Sequence, residues 1–489
     1  MAYYSEKYDL FLSSTQSFCH KCDDLKHLID THVVSKDNEV YLRKFCPKCG
    51  ESMVKISTDL DYYNKCNNYL KAPDLPEKPL TRVLKGCPFD CGVCPQHQNH
   101  PCLALFNITD ECNMKCNICY YAAEPGLGNH RSMEDIEKML ATLLSTESEP
   151  DLIQVTGGEP TTHPKIVEIL KYLKKSPVRH LMLNTNGIKI AEEESFVKEL
   201  KKLGGGFEVY LQFDSLNPKV LKDLRARDMV DIRIKALEML EKYNISTTLV
   251  VVVKKGLNEH EIPEIIKFSR TYKCIRGIVF QPVEEAGRVN ANGDFRITLS
   301  EIRQIIIDDA TNPFTADDMI PLPCHPHKIG VGYAAKTMGK DENGEKFATL
   351  MPVTGKLPKE LITDYRGTVS FELDRDFVKT VIDTVSLDTA MGEGILKDKI
   401  KQTLFCCWPD FLAPSDMGYE NVYRLVISEF SDIVNFDSTN IKRECNFMIE
   451  PERIIPFSTY NMGIEFSQTK IEKFKVTAYK DDDANIVLI

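Results

Sequence analysis

The sequence predicts an α/β protein built on a parallel sheet, and three observations carry that expectation. Six short apolar runs alternate with helical stretches between residues 103 and 283. The spacers are long enough for the crossover helices that parallel strands require. Polar residues gather where the runs end, the edge at which such sheets bind ligands. The runs are LALFNIT (103–109), LIQVTGGEP (152–160), HLMLNTNG (180–187), FEVYLQFDS (207–215), ISTTLVVVV (245–253) and IRGIVFQPV (275–283). In the first crossover Ile136, Met139, Leu140, Leu143 and Leu144 share one helical face, with Ser132 as the N-cap. The second carries Ile166, Ile169, Leu170 and Leu173, with Pro164 in its first turn. These stripes are core. The sheet is either doubly wound or curled into an incomplete barrel.

Upstream, FCHKC and FCPKCG place Cys19, Cys22, Cys46 and Cys49 in two C-x-x-C knuckles. Four thiolates so paired make a closed tetrahedral site for zinc or a single iron, and spacing does not separate the two metals. A proline-bearing stretch, APDLPEKPL (72–80), reads as a linker. Cys87, Cys91, Cys94 and Cys102 follow in a Pro- and Gly-bearing loop. They suit the corners of an iron–sulfur cube, with a second structural zinc as the alternative. His97 and His100 lie within that loop, as solvated side chains or as occasional ligands. Beyond the sheet, EEAGRVNANGDF (284–295) reads as an exposed loop, and 334–368 as a flexible Gly/Lys-rich stretch. Cys324, Cys406, Cys407 and Cys445 are scattered through this last part.

Composition narrows the class. The chain has 489 residues, 43% hydrophobic and 27% charged, as ordinary globular domains do. A net charge of −11 argues against a nucleic-acid surface. MAYYSEKYDL has no secretory h-region, and TLVVVV (248–253) is too short to span a bilayer, so no transmembrane segment is expected. The expected location is the cytoplasm, with peripheral membrane contact allowed. Of the 17 cysteines, eleven fall in closely spaced groups between Cys19 and Cys119, as metal sites do and disulfides of a reducing compartment do not.

The most informative group is Cys112, Cys116 and Cys119, a C-x3-C-x2-C followed by Tyr120, placed directly after the first predicted strand. With Gly157, Gly158, Glu159 and Pro160 ending the second, and the six-strand rhythm around them, residues 103–283 resemble the radical SAM superfamily. The resemblance implies a partial (β/α)6 radical SAM barrel. It also implies a 4Fe–4S cluster on the three cysteines, one iron left open for S-adenosylmethionine (SAM), and reductive cleavage of SAM to a 5′-deoxyadenosyl radical that abstracts hydrogen from an sp3 carbon. By position, Gly157 and Gly158 would admit the methionine moiety and Glu159 would accept from its ammonium. Asn186, Gln212 and Asp214 are candidates for ribose and carboxylate contacts, or else caps and turn residues. Tyr120 would pack beside the adenine or in the core.

Over nearly its whole length the chain is similar to the lineage of archaeal tetraether lipid synthases, also described as radical SAM pterin methyltransferases. LPCHPH (322–327), FCCWPDF (405–411) and IIPFSTYN (454–461) fit it. That lineage implies an N-terminal rubredoxin-like metal ribbon (1–75) and an auxiliary cluster loop (76–102). It further implies the radical SAM core (103–284) and a C-terminal α+β iron–sulfur domain (285–489). A second auxiliary cluster would fall to Cys324, Cys406, Cys407 and Cys445, with Ser458 standing where a cysteine is expected. Cys66 and Cys274 remain as buried thiols. The expected activity is C–C joining of lipid hydrocarbon chains, fed by an external donor such as ferredoxin or flavodoxin. The alternatives are radical methylation of a small heterocycle such as a pterin precursor and, from another class, non-catalytic electron transfer. A long apolar tunnel would favour lipid, and a compact polar pocket the heterocycle.

Overall fold

A computed structural model describes residues 10–22, 25, 27–289, 295–356 and 421–464, and two short strands at Ala478–Lys480 and Ile486–Leu488. Its first element is a four-stranded antiparallel sheet: β1 (Leu10–Ser17), β2 (Ile29–Lys36), β3 (Glu39–Cys46) and β4 (Gly50–Ser57). Asp37 and Asn38, both with positive φ, make the two-residue turn that matches the strand twist between β2 and β3. Along β3 alternate residues point inward, and one of these is Lys44. Its ammonium donates to the carbonyls of Phe18 (2.9 Å) and Val434 (2.7 Å), tying the ribbon to the carboxyl-terminal chain. Burial pulls that amine down to about 7.

All six predicted runs are strands. β5 (Leu103–Asn107), β6 (Leu152–Thr156), β7 (His180–Thr185), β8 (Phe207–Gln212), β9 (Thr247–Val253) and β10 (Ile275–Pro282) lie parallel and side by side in chain order. Ser132 caps the first crossover helix in a capping box with Asp135, each side chain accepting from the other's backbone N–H at 3.1 Å. The second helix begins at Ile166 with Lys165 as its cap, so Pro164 stands just outside the first turn predicted for it. The predicted apolar stripes face the sheet and are buried.

The carboxyl-terminal chain is built onto this sheet, not beside it. β11 (Ile320–Pro321), β12 (Ile329–Lys340) and β13 (Lys346–Pro352) form an antiparallel margin. β14 (Val422–Ser428) then pairs parallel with β10, while β15 (Asn446–Glu450) pairs parallel with β5 and is backed by β16 (Arg453–Pro456). Eight parallel strands thus curl round a common interior. The stretch expected to be flexible from 334 is a paired hairpin through Pro352, held by continuous antiparallel pairing from Ala334 with Pro352 to Lys340 with Lys346. Among the described residues no helix is long and apolar enough to cross a membrane.

Candidate active site

Side chains that point inward from the curled sheet surround a cavity of about 250 Å3 that runs from the amino to the carboxyl ends of the strands. Most of its wall is apolar, with Leu105, Val279, Val331, Val426 and Phe430 among the lining residues, and one side carries a ladder of amides and hydroxyls. Gln212 donates to Asn184 (2.9 Å), Asn184 to Thr156 (3.2 Å), and Gln281 to Tyr210 (3.3 Å). Deeper down, Arg424 from β14 donates to both oxygens of Glu208 on β8 at 2.9 Å.

Cys112, Cys116 and Cys119 line one end of this cavity. Two glycines let their loop lie there. A Cβ on Gly157 would sit 2.4 Å from the Thr109 carbonyl oxygen, and one on Gly158 2.3 Å from that of Glu111. The Gly158 and Glu159 amides bond those same two carbonyls at 2.8 and 2.9 Å. The pair therefore admits the chain's own cluster loop, while both glycines also border the cavity. From the other side, Arg288 donates to the carbonyls of Cys116 and Ala123 at 2.7 Å, and its amide to that of Cys119. Residues 284–289, read from sequence as an exposed loop, are in fact a clamp on the cluster loop. Sequence reasoning missed Arg288, which shows no periodicity or motif, and Arg225, which reaches Cys116.

The thiols suit a polynuclear cluster. Among the described residues they do not bring three sulfurs within 4.8 Å of one another, as ligands of a single ion do. Burial pushes Cys112 up to about 12 and raises Cys116 as well, so both become thiolates only beside a strong cation such as iron. Met114 already directs its amide at the Cys112 sulfur (3.4 Å).

The other predicted contacts divide. Glu159 lines the cavity, and four donors hold it: the Thr161 amide (3.1 Å) and hydroxyl (2.7 Å) and the Thr185 hydroxyl (2.7 Å) at Oε1, the Asn186 amide (2.8 Å) at Oε2. Burial raises its carboxyl against those donors. Asn186 and Gln212 border the cavity too, Asn186 donating to Asn113 at 2.7 Å. Tyr120 faces the cavity and stands edge-on to Phe457, so cavity wall and aromatic core are one place. Asp214 is a correction. It is fully buried outside the cavity wall, gripped by Arg225 (2.7 and 2.8 Å) and Arg233 (2.9 Å), and accepts from the Val252 amide. Two guanidiniums leave it no face for ribose. Its work is to aim Arg225 and Arg233, which do line the cavity.

The remaining thiols regroup. Cys19, Cys22, Cys46 and Cys49 converge with all four sulfurs within 4.8 Å, close enough for one tetrahedral ion, and the Cys49 amide points at the Cys46 sulfur (3.4 Å). This is a mononuclear metal site. Cys46→Ser is expected to release one ion per chain and abolish hydrogen-exchange protection across β1–β4, with no loss of whatever iron the 112–119 thiols take up on reconstitution. Cys87, Cys91, Cys94 and Cys102 do not form one group. Cys91 lies against Cys87 and accepts from Thr459 (3.2 Å), whereas Cys102 and Cys324 (3.6 Å) both meet Cys445 in a separate apolar cluster. The strand pairing of β15 with β5 causes this, since Cys445 and Cys102 immediately precede the two strands. Cys406 and Cys407 lie outside the described residues. Ser458 is hydrogen-bonded to Glu444 (3.0 Å), and its neighbour Thr459 belongs to the Cys91 group, not that of Cys445. His97 and His100 are buried, not solvated: His97 meets the Glu444 carbonyl (2.7 Å), and His100 meets Cys102 (3.4 Å) and Glu147 (3.5 Å). Cys66 and Cys274 are buried thiols.

A parallel barrel sheet with a thiol triplet at the mouth of its cavity defines a radical SAM enzyme. Residues 106–269 match the Radical SAM superfamily model, so the chain carries a radical SAM domain. Residues 11–58 match the HMPTM N-terminal zinc ribbon domain. The chain is 29% identical over 478 residues to 7,8-dihydro-6-hydroxymethylpterin dimethyltransferase of Methanocaldococcus jannaschii, covering 91% of this chain and 93% of that one. It is 26% identical to GTP 3′,8-cyclase of Petrotoga mobilis, over 41% of this chain and 62% of that one. Among solved structures, that of Streptococcus suis SuiB aligns over 42% of this chain and 45% of its own, with a TM-score of 0.36 and 19% identity.

Proposed function

We propose that this chain is a radical SAM methyltransferase acting on a small nitrogen heterocycle of the pterin class. The observation that carries this reading is the similarity to the pterin dimethyltransferase across nearly all of both chains. The cavity supports it. About 250 Å3 is at the small end for small-molecule sites, and one side of the mostly apolar wall offers amides suited to a heterocycle's donors and acceptors. The joining of lipid chains expected from the sequence has less support, because the relative matched along nearly the whole chain is a pterin dimethyltransferase.

When bound, the cluster and SAM supply the 5′-deoxyadenosyl radical. Cys112, Cys116 and Cys119 hold the cluster, and Glu159, fixed by Thr161, Thr185 and the Asn186 amide, accepts from the ammonium of SAM. Asn186, Gln212 and Tyr120 shape the rest of the cofactor's seat. Cys87, Cys91 and Cys94 belong to one auxiliary site, and Cys102, Cys324 and Cys445 to another. Zinc fits the ribbon. An external one-electron donor such as ferredoxin or flavodoxin, in the cytoplasm, suits a thiol-rich chain of this kind.

The test is an anaerobic turnover of reconstituted enzyme with 7,8-dihydro-6-hydroxymethylpterin, methyl-labelled SAM and reductant. The expected result is a pterin product heavier by one or two methyl groups, formed together with 5′-deoxyadenosine. The label reports whether SAM or a second donor provides the carbon, so product mass is read alongside it. An unchanged pterin, with a glycerolipid gaining a carbon–carbon bond instead, would overturn the reading.

A further inference from the structure

The carboxyl group at the end of β10 stands apart from every network described above. Glu284 lines the cavity, yet its Oε2 is buried and accepts no hydrogen bond. Arg296, the cation on that side, is committed to Asp432 (2.6 Å) and Glu285 (3.6 Å). Burial, reinforced by Asp432 and Glu444, pushes the Glu284 carboxyl well above its usual range. An acceptor left in this state gains a great deal from any ligand that brings N–H donors. Beside it is Asn461, the last residue of the short helix Phe457–Asn461, whose buried Nδ2 faces the Glu284 carboxyl without closing a well-formed hydrogen bond to it. A cavity-lining acceptor is therefore met from behind by one loosely placed donor that has no other partner among the described residues.

Their place in the sheet separates them from the cofactor's seat. Glu159 follows β6, Glu284 follows β10, and three strands intervene. The loop that carries Glu284 nevertheless reaches the cluster: a Cβ on Gly287 would lie 2.3 Å from the Cys119 carbonyl oxygen. A molecule held by Glu284 is thus close to the cluster loop but across the cavity from Glu159.

We propose that Glu284 and Asn461 recognise the amino-lactam edge of the heterocyclic substrate. On binding, the ring N–H and the exocyclic amine supply the donors that the Glu284 carboxyl lacks, so it releases its proton to solvent and accepts from both as the carboxylate, while the Asn461 amide turns from Glu284 to donate to the ring carbonyl. This rests on the methyltransferase reading and assigns the specificity-determining pair within it. A ring that carries a carbonyl in place of the exocyclic amine turns an acceptor toward Glu284 and is rejected.

The experiment measures equilibrium binding of 6-hydroxymethylpterin and of its dioxo analogue, 6-hydroxymethyllumazine, to cluster-loaded enzyme in the presence of SAM. Glu284→Gln is expected to weaken pterin binding at least about tenfold, the scale of one hydrogen bond to a charged group. It should also erase the preference for pterin over lumazine, with SAM affinity unchanged. Asn461→Ala should weaken both ligands alike, because both keep the ring carbonyl. Unaltered pterin binding by Glu284→Gln overturns the assignment and leaves the methyltransferase reading standing. Equal loss of SAM and pterin also overturns it, giving Glu284 to the cofactor. If wild-type enzyme binds no pterin, both readings fall. Should Glu284→Gln not fold, the wild-type preference decides: no discrimination between pterin and lumazine overturns the proposal.

Discussion

Cys112→Ala, Cys116→Ala and Cys119→Ala each lower reductive formation of 5′-deoxyadenosine to background. The three sulfurs line one end of the cavity, and removing one leaves two anchors for a cluster that needs three. The loss is one of chemistry and not of fold, because Arg288 and the backbone pairing of Gly158 and Glu159 hold the loop whether or not a given thiol is present. Iron content, the charge-transfer absorbance of the cluster and 5′-deoxyadenosine yield, measured on the same preparation, check this. Cys66→Ala is the control. That thiol is buried in the core away from the cavity, where burial pushes it up to about 12, and its truncation should cost about 1 kcal/mol with cleavage intact. Undiminished cleavage in any of the three alanine variants would remove the triplet from the reaction.

Arg424→Ala is expected to destabilise the fold by about 3–5 kcal/mol, the scale on which a buried ion pair loses one partner. Glu208 is inaccessible to solvent, and Arg424 donates to both its oxygens as well as to Thr248 (2.8 Å). Burial alone would raise the Glu208 carboxyl, but Arg424, then His180 and Thr248, hold it far below the usual carboxylate range. Because the folded value is depressed, this contribution is complete above the unfolded value of about 4.3 and is lost as pH falls toward the folded one. The denaturant midpoints of wild type and variant should therefore differ most near neutrality and converge in acid, where the stranded Glu208 of the variant takes up a proton. A variant that also carries Glu208→Gln should recover part of the loss, since no charge is then left unpaired. Equal midpoints at pH 7 would show that β14 is held to the sheet by packing alone.

These two sites were legible in the sequence to very different degrees. The cysteine triplet was visible because its three ligands fall within eight residues, and the ribbon quartet because its thiols come in knuckles. The six strands were equally plain, since apolar runs and helical stripes are local patterns that the chain cannot easily satisfy in another way. Glu208 and Arg424 were invisible as a pair. They lie on strands far apart in sequence, and nothing local to either predicts the other.

The same distinction explains each correction. Asp214 ends a strand at the face where ligands bind, which made it a candidate contact; its capture by Arg225 and Arg233 follows from how the next helices fold back over it. Spacing put Cys102 with Cys87, Cys91 and Cys94, until the parallel pairing of β15 with β5 drew it to Cys445 and Cys324. The residues 284–289 were polar enough to read as solvent-exposed, yet they close over the cluster loop through Arg288.

By itself, then, the sequence determined the elements that depend on neighbours a few residues away: the strand–helix alternation, the ribbon knuckles and the spacing of the thiol triplet. Only the tertiary structure decided which distant groups meet: the return of the carboxyl-terminal chain onto both sides of the sheet, the regrouping of the other cysteines, and the cavity wall with Glu284 and Asn461. The physical reason is that local patterns are set by backbone geometry and a short-range apolar period, whereas pairings between remote segments are chosen by burying the whole core at once, with every buried charge and sulfur required to find a partner there.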